Sequence, residues 1–512
     1  MSDRHPSRPL PAQVNLEQQK RQARELLRAA RAHEPAALER FRAHHPRLAG
    51  TSVREIESAS LALHDAQLVL AREYGFKHWA ALKHEIESRT GAHTRIFVTD
   101  VAYFDDRAKG LVSAHQGGVP HAFEQIRQWH PAFADASDDD LAGAPFDLEA
   151  ARLVYARQHG LATWDAFVAD VRAVARGERT EPFKEVFEAL QRQQWDRLPQ
   201  LIRQHPDVLR VRGTNGNSLL NLAVSLAGRT REPLPSQAWQ LLDVFLRSGA
   251  DINQANDRGW TPLHQAAYSN QVELATRLID AGAALDLEAH GEGGTPLAVA
   301  LFWGHREVAD ALATVVVPRN LRIAAGLGRP DLIAECFGPG DALTEAARSG
   351  RGFYRPHSGF PVWHPSDDPQ EVLNEALVWA CKADRVEVLP ILVSRGADVN
   401  ADPYRGTPLM WASANNRLAA ATWLLAHGAT ITRATFGGPS HGRGVTPLHM
   451  AAQNDHVEMA RLLLSHGADP NLEDAIYHSS PIGWADHFGS RRVHQVLTGA
   501  DVAHVNPRDS GT

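Results

Sequence analysis

The tetrapeptide Thr261-Pro262-Leu263-His264 recurs in altered form four more times along the chain. Its spacing is regular, since the step from Thr261 to Thr295 and the step from Thr446 to Ser480 both cover 34 residues. This period is typical of a repeat that consists of two helices and a turn. Because one such repeat buries only one of its faces, the pattern predicts a stack of repeats that contact their neighbours. The later copies are Thr295-Pro296-Leu297-Ala298, Thr407-Pro408-Leu409-Met410, Thr446-Pro447-Leu448-His449 and Ser480-Pro481-Ile482-Gly483.

A second motif, with the pattern Gly-Ala-Asp-x-Asn, ends several of the repeats. Glycine at its start stops a helix, because glycine adopts the left-handed conformation at little cost. The proline of Thr-Pro-Leu fits the first turn of a helix, where its missing N–H is not needed, and the threonine is a suitable N-cap. The motif is found at Gly249–Asn253, Gly396–Asn400 and Gly467–Asn471, with weaker forms at Gly282 and Gly428.

Together these two motifs resemble the ankyrin-repeat family from Asn217 to about Ala500. The resemblance implies an all-α fold, an α-solenoid of ankyrin helix pairs with roughly eight units. It also implies a scaffold or adaptor that binds another protein on the concave face of the array. Two units, Asn320–Phe337 and Ala342–Asn400, lack the Thr-Pro signature.

The N-terminal third contains a separate duplication with an offset of 85 residues. Ala23-Arg24-Glu25-Leu26-Leu27 corresponds to Ala108-Lys109-Gly110-Leu111-Val112, and Gly75–Trp79 corresponds to Gly160–Trp164. A constant, ungapped offset of this kind indicates an internal repeat. Apolar residues at helical spacing predict four helices in each copy. The array is therefore expected to follow a duplicated four-helix module.

These patterns divide the chain into consecutive segments. The polar stretch Ala175–Pro182 is the best boundary before the array, since no Gly/Ser-rich hinge is found. We expect a disordered N-terminus at 1–14, helical module copy 1 at 15–90, copy 2 at 100–175, an ankyrin-repeat solenoid at 183–500 with an inserted lobe at 353–369, and a C-terminal tail at 501–512.

The composition favours a cytoplasmic protein. A formal charge of −7, with no basic stripe, argues against nucleic-acid binding. No apolar stretch is long enough to span a membrane, and the N-terminus lacks the apolar core of a secretory signal. The two cysteines, Cys336 and Cys381, exclude a disulfide framework and favour a reducing compartment. Almost all basic residues are arginine, which suggests a bacterial source.

The sequence indicates a protein that is not an enzyme. It contains no His-Glu-x-x-His, no Gly-x-Ser-x-Gly, no Rossmann glycine fingerprint and no P-loop. His264 and His449 look catalytic only in isolation, because the ankyrin resemblance implies hydrogen bonds between repeats at this position. We therefore expect a monomer that binds a protein partner, with no cofactor, no metal, no nucleic acid and no membrane as ligand.

The insertion at 353–369 offers an alternative function. Its four prolines exclude a helix, and its four aromatic side chains argue against a purely solvated loop, so we expect a compact lobe. One interpretation is an aromatic plug over a mismatched repeat junction, in which Ser366 or Asp367 caps the next helix. The other is the pocket of a small-molecule- or metal-binding regulator or enzyme. The seven-residue step between its histidines matches no helical ligand pair, which favours the plug. The lobe residues of interest are Tyr354, His357, Trp363 and His364.

The variable surface positions of the repeats provide candidate partner-binding residues. Several of them are aromatic where solvent exposure is expected, which is typical of a binding hot spot. Alternatively, these aromatic side chains cover helix pairs that the Arg231–Gln237 insertion distorts. The full set is Arg258, Trp260, Tyr268, His290, Phe302, Trp303, Tyr404, Arg405, Asn415 and Gln453.

Three tryptophans share one position of the repeat, each directly before an alanine. They are Trp379, Trp411 and Trp484. Stacked at the repeat spacing, they predict an aromatic ladder that packs between the first helices of neighbouring repeats. An exposed aromatic groove is the alternative.

Overall fold

A computed structural model describes most of the chain. Within the described residues the chain is helical, and its β-type pairing is limited to two isolated bridges, Arg95 with Gly213 and Phe337 with Leu343. The helices fall into two compact units, divided between Pro262 and Leu263. The described residues are 16–48, 51–59, 61–76, 94–134, 136–227, 236–247, 250–289, 292–314, 317–352, 365–403, 406–431, 444–475 and 477–499, with Trp79, Leu82 and Ile86.

The first unit contains the duplicated module and the start of the array. The segments expected to be disordered at 1–14 and to form a tail at 501–512 lie outside the described residues. The α-helices of the first unit are Leu16–Arg31, Pro35–His44, Val53–Glu57, Leu63–Glu73, Val101–Gln116, Pro120–Trp129, Asp138–Gly143, Leu148–Gln158, Trp164–Ala175, Pro182–Gln191, Leu198–Gln204, Leu219–Ala227 and Ser236–Arg247. Short 3-10 turns lie at Pro131–Phe133, Pro206–Leu209 and Thr214–Gly216.

Each copy of the module contains a short helix that the sequence analysis did not predict. It is Val53–Glu57 in the first copy and Asp138–Gly143 in the second. Both begin with a serine N-cap in a capping box, Ser52 in one and Ser137 in the other, exactly one offset of 85 residues apart. A run of five or six residues carries too little apolar periodicity to be recognised from sequence.

One buried contact keeps its place in both copies although its chemistry differs. In the first copy Arg40 donates to both carboxylate oxygens of Glu73, over 2.7 and 2.9 Å. In the second copy the corresponding residues are Gln125 and Gln158, which form a neutral amide hydrogen bond of 3.2 Å. The exchange of an ion pair for an amide pair at one structural position supports the duplication read from the sequence.

The second unit consists of helix pairs whose first helices begin as the Thr-Pro motif predicts. Thr295, Thr407 and Ser480 each accept a hydrogen bond from a backbone N–H in the first turn, and proline follows each of them at the first helical position. Including the helix at the division, the α-helices are Pro262–Tyr268, Val272–Asp280, Pro296–Phe302, Arg306–Leu312, Leu321–Gly326, Pro330–Glu335, Glu345–Arg348, Pro369–Lys382, Leu389–Ser394, Pro408–Ala414, Leu418–Ala426, Pro447–Gln453, Val457–Ser465, Pro481–Phe488 and Arg491–Leu497.

A side chain three residues after the N-cap ties one repeat to the next. The imidazole Nε2 of His264 donates to the carbonyl oxygen of Gly294, and Nε2 of His449 donates to that of Ser479, both over 3.0 Å. Each acceptor residue directly precedes the N-cap of the next repeat. The predicted structural role of these two histidines is therefore confirmed.

Other residue types perform a similar task at two places where histidine is missing. In the first unit the amide of Asn221 donates to the carbonyl of Trp260 over 2.7 Å, and Trp260 precedes Thr261. In one of the two units that lack the Thr-Pro signature, the guanidinium of Arg322 donates to the carbonyl of Gly350 over 2.6 Å. A donor long enough to reach the next turn is thus the common requirement.

Lowering the pH from 7 to 4.5 should destabilise the second unit, because His264 is neutral when folded. Burial lowers the pKa of His264 to about 4, whereas an unfolded imidazole has a pKa of about 6.5. The unfolded chain therefore binds more protons between these values, and stability is lost as the pH falls through this window. The expected loss from this group is roughly 2 kcal/mol, measured by urea unfolding at a series of pH values.

His264→Asn is the matched control, since asparagine keeps a hydrogen-bond donor, as Asn221 does, but does not titrate. Its stability should change less than that of the wild type over the same pH range. Some dependence should remain, because burial also lowers the pKa of His305, His449 and His456. An unchanged pH dependence in the variant would show that His264 does not contribute.

Candidate functional site

The structure describes seven of the candidate partner-binding residues. Arg258 and Trp260 belong to the first unit, and the others belong to the second. Three candidates, His290, Tyr404 and Arg405, lie outside the described residues, as do all four lobe residues, Tyr354, His357, Trp363 and His364. The described candidates are Arg258, Trp260, Tyr268, Phe302, Trp303, Asn415 and Gln453.

Tyr268 and Trp303 form an aromatic pair at the ends of the first helices of two adjacent repeats. Their ring centroids are 5.4 Å apart and the rings meet edge to face. Tyr268 is 42% exposed, and Trp303 is half-buried. The imidazole of His305 donates to the backbone carbonyl of Tyr268 over 2.8 Å, which fixes the end of the Pro262–Tyr268 helix. This pair therefore presents aromatic surface from an ordered backbone.

Phe302 does not have the exposure that the sequence analysis expected. It is only 5% exposed, because it packs against Trp303, Trp379 and Trp411 at ring-centroid distances of 5.3, 6.3 and 6.0 Å. The assignment of Phe302 as an exposed binding residue was wrong. Its ring instead supports Trp303 from beneath.

A buried lysine, which the sequence analysis missed, lies between two of these rings. The ammonium nitrogen of Lys382 is 3.7 Å from the ring centroid of Phe302 and 3.5 Å from that of Trp411. Lys382 is only 1% exposed, so this cation–π contact is formed away from bulk water, where such contacts are strongest. Lysine is rare in this chain, so a lysine at the end of an otherwise apolar first helix could have indicated this buried contact.

The predicted packing of the tryptophans is confirmed for two of the three. Trp379 is fully buried, with the guanidinium carbon of Arg322 4.5 Å from its ring centroid. Trp484 is 5% exposed and donates from Nε1 to Asp474 over 3.0 Å. Trp411 is half-buried beside Lys382. These rings form part of the packing between repeats, and they do not line an open groove.

The remaining described candidates occupy less apolar surroundings. The amide of Asn415 donates to the backbone carbonyl of Trp411 over 2.9 Å, which ends the Pro408–Ala414 helix. Gln453 is half-buried. In the first unit, the amide oxygen of Asn256 accepts hydrogen bonds from the backbone N–H groups of Arg258 and Trp260, so the turn that carries both residues is ordered.

A largely buried network of four charged residues connects Arg322 with residues that precede and follow the insertion in sequence. Glu375 is 1% exposed and lies between Arg322, at 2.8 Å, and Arg351, with which it also forms a close ion pair. Arg351 is 3% exposed and extends to Glu371 over 2.7 Å. Two positive and two negative charges therefore balance, with Glu371 at the more exposed edge of the network.

This network explains why the helix after the insertion departs from the repeat pattern. Glu375 precedes Trp379 by the same four residues that separate Thr407 from Trp411, so a glutamate replaces the N-cap threonine. The helix begins earlier, at Pro369, and Asp368 is its N-cap, accepting from the N–H of Gln370. The expectation that Ser366 or Asp367 caps this helix was wrong.

The described residues show few features of a reactive centre. Among them, no group of three or more His, Cys, Asp and Glu side chains is arranged to hold a metal ion. Within the same residues, no helix combines the length and the apolar character needed to cross a membrane.

Cys336 and Cys381 are buried free thiols, and burial raises the pKa of Cys336 to about 11 and that of Cys381 still further. Both thiols therefore stay protonated at neutral pH.

Comparison with known families identifies the repeats. Residues 236–317 and 363–435 match a family model described as ankyrin repeats in three copies, and residues 443–475 match a model for a single ankyrin repeat. These residues confirm the ankyrin resemblance read from the sequence. The duplicated module lies outside the matched residues.

Three similar proteins share parts of this array. Ankyrin repeat and KH domain-containing protein mask-1 of Caenorhabditis elegans is 26% identical over 195 residues, 38% of this chain and 7% of that protein. Protein fem-1 homolog A of Homo sapiens is 30% identical over 161 residues, 31% of this chain and 22% of that protein. RelA-associated inhibitor of Mus musculus is 34% identical over 59 residues, 12% of this chain and 7% of that protein. The matches thus span less than a quarter of each relative.

Replacing Glu375 with glutamine should destabilise the second unit strongly. The substitution leaves two buried guanidiniums, those of Arg322 and Arg351, without the carboxylate that lies between them. The expected cost is about 3–5 kcal/mol, measured by urea unfolding. Glu371→Gln removes a carboxylate from the same Arg351 one turn away, but Glu371 is 23% exposed, so it should cost about 1 kcal/mol or less. Equal costs for the two variants would contradict this account of the network.

Proposed function

Because the chain carries ankyrin repeats, we propose that it is a non-catalytic scaffold or adaptor that binds another protein through the first-helix surface around Tyr268 and Trp303. Ankyrin repeats in general serve as protein-binding scaffolds, but a fold alone does not select the surface that is used. We therefore identify the binding surface from the exposed fraction of its side chains and from the contacts that hold them in place.

The exposed ring of Tyr268 carries the proposal. It is 42% exposed and lies edge-on to Trp303, so aromatic surface is presented to an incoming partner. Tyrosine and tryptophan are the residue types most enriched in binding hot spots, because they bury large area and lose little side-chain entropy.

The layer beneath this pair supports rapid and tight docking. Phe302 packs directly under Trp303, and the ammonium of Lys382 is held between Phe302 and Trp411. The backbone of Tyr268 is fixed by His305. A surface that is already ordered loses little conformational entropy on binding, which is the main energetic advantage of a repeat scaffold.

The same proposal assigns secondary contacts to other surface positions. Asn415 and Gln453 lie at the ends of first helices further along the second unit, and Arg258 lies on an ordered turn of the first unit. His290, Tyr404 and Arg405 belong to equivalent turn positions of the sequence pattern. These polar residues would add specificity to partner binding within their own units.

One relative is named for association with another molecule. The mouse protein is called a RelA-associated inhibitor, and the nematode protein combines ankyrin repeats with a KH domain. The first of these names describes a protein that acts by association, which agrees with a binding role for the shared repeats. The partner of this chain is proposed only as a protein.

We also propose that the protein is a monomer in the cytoplasm of a bacterium. The two buried free thiols suit a reducing compartment, and the preference for arginine over lysine suits a bacterial source. The three relatives described above are animal proteins, so this source rests on composition alone.

Tyr268→Ala should abolish capture of the partner while leaving the fold intact. The experiment is affinity capture with the full chain, followed by quantitative mass spectrometry. Tyr477→Ala is the matched control, since Tyr477 is a still more exposed tyrosine, at 57%, in the last repeat of the same unit. Proteins recovered by the wild type and by Tyr477→Ala should be depleted at least tenfold with Tyr268→Ala. Recovery of the same proteins in equal amounts by the wild type, Tyr268→Ala and Tyr477→Ala would argue against binding at Tyr268.

A further inference from the structure

Three arginines of the first unit lie near a single aspartate, and one of them, Arg258, is also a secondary contact of the proposed function. Arg107 lies on the Val101–Gln116 helix, Arg212 follows the Pro206–Leu209 turn, and Arg258 and Asp257 lie on the turn that precedes Trp260. We call Arg107, Arg212 and Arg258 the arginine cluster. With Asp257, these four side chains have a net formal charge of about +2 at neutral pH.

The turn that carries Arg258 is held rigidly against the rest of the first unit. The backbone N–H of Arg258 donates to the amide oxygen of Asn256 over 2.9 Å, and the amide nitrogen of Asn256 donates to the amide oxygen of Asn217 over 3.0 Å. Gly216, at a φ of +73°, packs so closely that a Cβ there would lie 2.1 Å from a carboxylate oxygen of Asp257. The positions of Asp257 and Arg258 are therefore fixed by contacts within the unit.

Neutral polar groups complete the surroundings of the arginine cluster. The amide of Asn215 donates to the hydroxyl of Tyr103 over 2.5 Å, and the guanidinium of Arg107 lies 5.8 Å from the centroid of the Tyr103 ring. Gln158 donates to Asp257 over 2.9 Å. The buried Tyr155 hydroxyl interacts with Arg107. These groups offer further hydrogen bonds to a bound ligand or to water.

The cluster brings three guanidinium groups close to one carboxylate, that of Asp257. A carboxylate oxygen of Asp257 is 4.0 Å from a guanidinium nitrogen of Arg212, which is the outer limit of an ion pair. Among the described contacts, Asp257 forms no ion pair as close as this with Arg107 or Arg258. The Nε–H group of Arg107 is buried and has no hydrogen-bond acceptor. Loss of hydration and repulsion from Arg107 lower the pKa of Arg258, although part of Arg258 remains exposed. An additional negative group would relieve this repulsion.

We propose that the arginine cluster binds a phosphate group, with Arg258 at its open side and Arg107 at its base. A phosphate monoester carries a charge of about −2 at neutral pH, which matches the excess positive charge, and its oxygens accept the N–H groups of guanidinium. Two or more arginines around one group are typical of phosphate recognition in proteins. The phosphate can belong to a phosphorylated small molecule or to a phosphorylated side chain of a partner.

Calorimetric titration of the full chain with inorganic phosphate tests the proposal without any protein partner. The titrations are made at pH 8 and constant ionic strength, with acetate as the reference anion. The wild type should bind phosphate more tightly than acetate. Arg258→Gln removes a charge-assisted hydrogen bond and should weaken phosphate binding about tenfold or more. Arg203→Gln, which removes an exposed arginine of the same unit, is the matched control and should bind as the wild type does.

Asp257→Asn should change the affinity for phosphate in the opposite direction. It removes the single negative charge but keeps an oxygen that can accept from Gln158, so phosphate should bind several-fold more tightly. If Asp257 only held the turn in place, the Asp257→Asn variant would bind phosphate more weakly than the wild type or not at all. No phosphate binding by the wild type, or equal weakening by Arg258→Gln and Arg203→Gln, would overturn the proposal.

Titrations with phosphoserine amide and ribose 5-phosphate distinguish the two sources of the phosphate group. Tighter binding of phosphoserine amide than of ribose 5-phosphate would indicate a phosphorylated partner, and the reverse order would indicate a small molecule. Because no partner is present in these titrations, their failure would leave the proposed binding at Tyr268 untouched. Failure to bind either compound would count against the site.

Discussion

In four places among the described repeats, a side chain near the start of a first helix donates a hydrogen bond to a carbonyl in a turn further along the chain. His264 and His449 form this bond with imidazole, Asn221 with an amide and Arg322 with a guanidinium. The carbonyls of Trp260, Gly294 and Ser479 also accept a backbone N–H within their own turn, so the side-chain donor adds a second hydrogen bond to each. Each side-chain bond connects the start of one first helix to a turn that lies further along the chain.

The repeat without the Thr-Pro signature shows how the same constraint is met by different chemistry. Arg322 reaches the next turn, and because its guanidinium is buried it requires a carboxylate, which Glu375 supplies. Glu375 in turn occupies the position of an N-cap threonine, so the Pro369–Lys382 helix starts two turns early. That longer helix ends with Lys382 between Phe302 and Trp411, directly beneath the aromatic pair proposed to bind a partner. Stability and the proposed binding surface thus depend on the same departures from the repeat pattern.

The sequence predicted the features that repeat and missed those that do not. Thr-Pro-Leu spacing and the 85-residue offset gave the helix pairs and the duplicated module, because periodic apolar positions dominate local structure. The contact of Arg322 with Glu375 joins residues 53 apart and has no counterpart among the other repeats as far as the structure describes them, so no pattern revealed it. Phe302 was expected at the surface because its position is variable in ankyrin repeats, but Lys382 and two tryptophans cover it. Non-periodic contacts of this kind decide which surface remains open.

Hydrogen–deuterium exchange on the Arg322→Leu variant tests most directly whether these side-chain donors couple neighbouring repeats. Leucine keeps apolar packing but cannot donate to the turn that follows. The account predicts faster exchange in the Leu321–Gly326 and Pro369–Lys382 helices together, with protection retained in the distant Pro447–Gln453 helix. Faster exchange confined to Leu321–Gly326, with Pro369–Lys382 as protected as in the wild type, would contradict it.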